Sequence, residues 1–97
     1  MTKAEICADI AQKTGVEKST VVDVVDEFFK TLRKNMIEGK NIFFRGFGSF
    51  VIHKRSTKIA RNISKNTAMT IPAHNIVKFI PSKEFNKAVG KHNPVKE

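Results

Sequence analysis

The sequence predicts a small α+β domain. It opens on a pair of helices joined by a turn and continues into a three-stranded antiparallel sheet. Two of those strands are drawn out into a long protruding β-arm, and a short helix closes the chain. Three observations carry this prediction. Apolar residues recur at helical spacing as far as Gly39 and stop there, a β-rich stretch broken by "GFG" follows, and all of the net charge falls in the second half. At 97 residues the chain is one domain near the lower limit for building its own core, and 40% apolar content is a globular composition.

Thr2 followed by Glu5 fits a capping box, and Ile6, Cys7, Ile10 and Ala11 share one helical face until Gly15 ends the pattern. A second helix is expected from Lys18 to Glu38, closed by Gly39. Val21, Val25, Phe28, Phe29, Leu32 and Met36 form its apolar face, with Val22 and Val24 at the edges. Asp23, Asp26, Glu27, Lys30 and Lys34 lie opposite. Cys7 falls on the apolar side of the first helix and reads as a small buried hydrophobe.

"NIFFRGFGSFVIHKR" (41–55) is rich in β-formers, and Gly46 and Gly48 are expected to make the tight turn between two strands. The second strand is expected to continue through "HKRSTKIARN" (53–62), where apolar residues thin out and basic ones rise. "SKNT" supplies a turn in which Asn66 suits a left-handed backbone. "AMTIPAHNIVKFI" (68–80) returns, and Pro72 within it demands an edge or a bulge. Ser82 can cap a last helix over "SKEFNKAVG", with Phe85 and Val89 on its inner side.

Charge is segregated along the chain. Residues 1–40 balance seven basic against seven acidic residues, whereas residues 41–97 hold eleven basic and two acidic, the whole net charge of +9. No acid lies between Glu38 and Glu84. One-sided basicity with a pI near 10.0 points to a polyanion, nucleic acid first. No apolar run is long enough to span a membrane, and no signal-peptide pattern opens the chain. A single cysteine excludes an intrachain disulfide, and three scattered histidines (His53, His74, His92) do not make a zinc site. No phosphate-cradling glycine loop, paired-carboxylate site or histidine constellation suggests an enzyme, a cofactor or a small-molecule substrate.

The arm extends about eight residues per side beyond any apolar alternation, or roughly 25 Å. An isolated ribbon is marginal in water and is expected to be mobile until it lies on a partner. Its cations, Arg55, Lys58, Arg61 and Lys65, suit phosphates. Eight phenylalanines and a wide apolar face on the second helix exceed what so short a chain can cover, which predicts a two-fold dimer. Within the single domain 1–97, residues 1–40 are then the helical dimerisation part. Residues 41–81 are the sheet and arm, with the tip near 61–67, and residues 82–97 are the closing helix and tail.

The chain resembles the HU/integration host factor family of bacterial histone-like proteins over essentially its whole length. The resemblance rests on the helix–turn–helix opening, "GFGSF" at 46–50, "RN" at 61–62, "IPA" at 71–73 and the Phe79-x-Pro81 pattern. It implies an intertwined dimer, homodimeric or paired with a related chain, in the bacterial cytoplasm and nucleoid. Its two arms would wrap the minor groove of duplex DNA, and each tip would drive an apolar wedge between base pairs. Arg55, Lys58 and Arg61 match the arm's basic positions, and Asn62 matches the asparagine before the wedge. Ile63 stands at the wedge position, where the family usually has proline. Asn66 stands for a usual glycine, His53 for a usual arginine and Ser82 for a usual glycine. Lys3, Lys83 and Lys87 could meet phosphates flanking a bend, as could Arg45. Phe28, Phe29, Leu32, Phe47, Phe50 and Phe79 are assigned to core or dimer interface.

Two other binding functions compete. A sequence-specific regulator using residues 2–39 as a DNA-reading helix-turn-helix would turn Asp23, Asp26 and Glu27 towards phosphates, the wrong sign. An RNA-binding protein would use the same basic ribbon, and competition between duplex DNA and RNA separates the two.

Overall fold

The structure, a computed structural model, describes residues 1–62 and 67–95, with residues 61, 62 and 67 described by their backbone alone. The chain divides into two compact units, Met1–Glu38 and Gly39–Glu97.

The first unit is a helix pair, α1 (Lys3–Thr14) and α2 (Lys18–Ile37). The Thr2 hydroxyl accepts the Glu5 backbone N–H at 3.3 Å, which satisfies one of the free donors at the start of α1. Gly15 sits at φ 75° and sends its N–H back to the Ala11 carbonyl, a left-handed stop that glycine adopts without strain. Helix α2 ends one residue earlier than expected, with Glu38 as its C-cap and Gly39 at φ 90°. The unit's fully enclosed residues are Cys7, Val21 and Met36, so the single thiol is indeed a buried hydrophobe. The rest of the apolar face of α2 is less covered. Phe28 and Phe29 touch edge to face at 5.6 Å, yet each keeps 47% of its surface exposed, and Val24 keeps 64%.

The second unit holds β1 (Ile42–Phe44), β2 (Gly48–Arg55), β3 (Lys58–Asn62), β4 (Thr67–Ile71), β5 (His74–Pro81) and α3 (Lys83–His92). A three-stranded antiparallel sheet runs in the order β1-β2-β5, and β3 pairs with β4 as a separate two-stranded ribbon. The two long strands expected from sequence are therefore each broken. β2 gives way to β3 at Ser56–Thr57, and β4 to β5 at Pro72–Ala73. Pro72 accounts for the second break, because it has no N–H for a ladder.

One face of the sheet carries the core of this unit. Phe50 lies opposite Phe79 in the β2–β5 register, with ring centroids 4.8 Å apart. Phe47 contacts Phe79 at 5.4 Å and stacks on Phe85 of α3 at 5.1 Å, and Phe44 meets both Phe47 and Phe50. Val89, expected on the inner side of α3, is nearly half exposed instead, and α3 runs on through Gly90 to His92.

The two glycines of "GFG" have different roles, which corrects the expectation that both make the turn. Gly46 alone has positive φ, at 78°. Gly48 begins β2, and a Cβ there would stand 2.7 Å from the Ile80 carbonyl oxygen and 2.7 Å from the Phe79 ring. Its constraint is close approach. Ser82 ties the turn to the last helix: its hydroxyl donates to the Gly46 carbonyl at 3.0 Å and accepts the Phe85 N–H at 3.1 Å. Its own N–H reaches the Phe47 carbonyl at 2.9 Å. Asn41 performs a similar service just ahead of β1, accepting the Ile52 N–H on its side-chain oxygen at 2.9 Å.

Candidate nucleic-acid interface

The ribbon β3–β4 pairs Lys58 with Ile71, Ile59 with Thr70, Ala60 with Met69, Arg61 with Ala68 and Asn62 with Thr67. Directly opposed residues share a face and neighbours alternate, so Lys58, Ala60, Met69 and Ile71 lie on one side while Ile59 and Thr70 lie on the other. Among the described elements the ribbon bonds only to itself. Ile59 is 73% exposed and Met69 57%, so some of its apolar side chains stand largely open among the described residues. Five paired residues per strand span about 17 Å.

The sheet supplies a second exposed surface, on the side away from the phenylalanine cluster. There the register places His53 opposite Ile76, Arg55 opposite His74 and Val51 opposite Lys78. His53, Arg55, His74 and Lys78 are all exposed. The His74 ring bonds the Pro72 carbonyl through Nδ1 at 3.0 Å, which fixes the imidazole at the corner where β4 passes into β5.

The structure brings together His53, Arg55 and Lys58 along β2 and β3, and it continues the backbone of β3 through Arg61 and Asn62. Ile63, Lys65 and Asn66 lie outside the described residues. Lys83 is the exposed first residue of α3. Lys3 belongs to the other unit and is engaged: its ammonium pairs with the Asp26 carboxylate of α2. That hydrogen bond, reinforced by the opposite charge, raises the Lys3 pKa above the ordinary lysine value. Asp26 is therefore not a purely solvated member of the outer face of α2. Of the residues assigned to core or interface, Phe50, Phe79 and Leu32 are partly covered within the chain, while Phe28, Phe29 and Phe47 are exposed. His74, Lys78 and Asn41 were missed in the sequence. Only the strand register puts His74 beside Arg55, and no local pattern signals that register. No helix among the described residues is long and apolar enough to cross a membrane.

An acid-free β-surface of this kind, carried on a small α+β body, defines a protein built to engage a polyanion. Residues 1–90 match the family described as bacterial DNA-binding protein. DNA-binding protein HRL18 of Rhizobium leguminosarum is 35% identical over 89 residues, covering 92% of this chain and 98% of the relative. Integration host factor subunit alpha of Anaeromyxobacter sp. (strain Fw109-5) is 28% identical over 92% of this chain and 90% of its own length. An Anabaena HU–DNA cocrystal structure superposes with a TM-score of 0.84 at 29% identity, covering 98% of this chain and all of the other. The V42I mutant of HU from Thermotoga maritima superposes with a TM-score of 0.70 at 27% identity over 92% of this chain and 99% of that one. The chain belongs to the HU/integration host factor family of bacterial DNA-binding proteins.

Proposed function

We propose that this protein is an architectural component of the bacterial nucleoid, which binds duplex DNA largely without regard to sequence and bends it. The observation that carries this reading is the self-paired ribbon β3–β4, which exposes both cationic and apolar side chains within a segment free of acids. Lys58 and Arg61 stand three positions apart along β3, paired with Ile71 and Ala68, and a strand alternates its faces from residue to residue. A ribbon lying in the minor groove meets a sugar–phosphate wall on each side, so cations on both faces are usable. Ile63 is the proposed wedge, with Asn62, Lys65 and Asn66 completing the tip. Inserting an apolar side chain between base pairs costs about a few kcal/mol of unstacking, offset by the extra basic surface that a kinked duplex covers.

The working unit is a two-fold dimer. The half-exposed Phe28 and Phe29 and the apolar groove lined by Ile10, Val16, Val21, Val24 and Val25 are the surfaces that a second copy would cover. Two arms related by that axis would embrace one duplex.

The test combines a titration of linear, nicked and four-way-junction DNA against RNA with end-to-end fluorescence transfer on a short labelled duplex. Nicked and junction DNA should bind best, because they lower the cost of kinking. Ile63→Ala should keep most of the electrostatic affinity and lose the bend. Undiminished bending by Ile63→Ala would remove the wedge, and preference for RNA over every DNA form would remove the function.

A further inference from the structure

We infer that the exposed face of the three-stranded sheet, where His53 and His74 flank Arg55, is a second phosphate-contact patch whose grip on DNA is set by protonation. This rests on the DNA-binding reading above and extends it from the ribbon to the sheet at its base. His53 lies opposite Ile76 and His74 opposite Arg55, so the two histidines are diagonal neighbours on one face, their backbone positions about 7–8 Å apart. Both are exposed.

The charged groups facing this pair are all cationic. Arg55 lies on the same strand as His53 and opposite His74, Lys78 lies opposite Val51 on the same face, and Lys58 opens the adjoining ribbon. Lys54 lies on the reverse face, opposite Asn75. Along the chain the acids nearest the pair are Glu38, which precedes β1, and Glu84, in the first turn of α3. Glu84 lies beyond the far end of β5, whose eight residues span about 26 Å. No carboxylate on the strand face therefore competes with a phosphate for a protonated imidazole.

The hydrogen bond of His74 makes the switch directional. A carbonyl oxygen can only accept, so Nδ1 carries the hydrogen donated to Pro72. In the neutral ring Nε2 is then a bare acceptor, which a phosphate oxygen avoids. Protonation turns Nε2 into a charged donor without moving the ring. Histidine is the side chain whose charge ordinarily changes between about pH 5 and 8. A phosphate favours the imidazolium form, so bound DNA raises the proton affinity of the pair. The added affinity is present when the imidazoles are protonated and absent when they are neutral.

Each imidazolium seated on a phosphate releases about one counterion, equivalent to about fivefold in affinity at roughly 0.15 M salt. The experiment is fluorescence anisotropy of a labelled linear duplex with the whole protein at about pH 8 and about pH 5.5, at constant ionic strength, with the fold checked by circular dichroism. The parent should bind about fivefold more tightly at the lower pH for each histidine engaged, and its log–log salt slope should steepen by about 0.9 per histidine. The double variant His53→Gln/His74→Gln should lose that difference, and His53→Arg/His74→Arg should hold the tight, steep behaviour at both pH values. The double glutamine variant controls for every other titrating group. Equal pH dependence in parent and glutamine variant, or none in the parent, overturns the patch and leaves the ribbon's role standing. Failure to bind duplex at either pH overturns the DNA-binding reading and the patch with it.

Discussion

Replacing Ser82 with alanine tests how the last helix is fixed to the glycine turn. Two bonds are lost together, the cap to the Phe85 N–H and the tether to the Gly46 carbonyl. Loss of a serine cap costs about 0.5–2 kcal/mol. The tether is a neutral hydrogen bond whose acceptor can be rehydrated at an exposed turn, worth about 0.5–1.5 kcal/mol net. The backbone bond from the Ser82 N–H to Phe47 survives the change. The expected loss is therefore about 1–3.5 kcal/mol, or about 4–28 °C in melting midpoint for a domain of this size. Ser82→Asp separates the two parts, since a carboxylate can still accept from the Phe85 N–H but cannot donate to Gly46. It should recover most of the cap. Urea denaturation of the three proteins at one fixed concentration measures both steps. An alanine variant within about 0.3 kcal/mol of the parent refutes the tether-and-cap account, and equal losses in Ala and Asp refute its division into two bonds.

Gly48→Ala should destabilise by about 1–3 kcal/mol or more, because the added carbon meets the Ile80 backbone and not merely a side chain that can swing away; denaturant midpoints check it. Binding should fall about 10³–10⁵-fold between 50 and 200 mM salt if a dimer engages about 6–10 phosphates, and a shallow slope in anisotropy titrations would contradict that contact number. Arg61→Ala should lower the salt slope by about one contact per arm while leaving the melting midpoint within about 0.5 kcal/mol of the parent. Thermal midpoints should rise with protein concentration, and Phe28→Asp should yield a monomer in sedimentation; a concentration-independent melt would end the dimer.

Local chemistry was the legible part of this fold. Thr2, Gly15, Gly39 and Ser82 each announce a helix boundary through a capping or left-handed preference that depends on a few neighbours, and each stands where its sequence context placed it. The breaks in the strands were harder to see. Ser56–Thr57 carries no strong breaker, and Pro72, expected within one continuous strand at an edge or a bulge, instead lies between the end of β4 and the start of β5. Gly48 reads locally as part of the "GFG" turn, whereas its constraint comes from Phe79 and Ile80, some thirty residues later. The basic positions of the site could be read from charge segregation alone. Their partition between two faces of the ribbon, and the meeting of His53 with His74, depend on register and could not.

The division of charge between the halves also explains how the chain folds without spending its binding surface. The helix pair closes around Cys7, Val21 and Met36 and balances its own charges, with Lys3 paired to Asp26. The sheet closes around a cluster of Phe44, Phe47, Phe50, Phe79 and Phe85 on one face only. Among the described side chains proposed to contact DNA, His53, Arg55, Lys58, His74, Lys78 and Lys83 are exposed and lie outside those two cores. None of these arm and sheet cations forms an ion pair among the described residues, because the strands hold no acid to receive one. Removing one of them should therefore weaken binding without loosening the fold. The ribbon shows the same logic in its apolar residues. Ile59 and Met69 are exposed among the described residues, and on the proposed function a bound duplex would cover them. A ribbon of two strands is marginal alone, so on the proposed function its ordering cost would be offset when phosphates and base edges line both of its faces. That coupling makes affinity sensitive to how readily a duplex deforms, since the contacts that order the arm are available only on DNA whose groove can open to receive it.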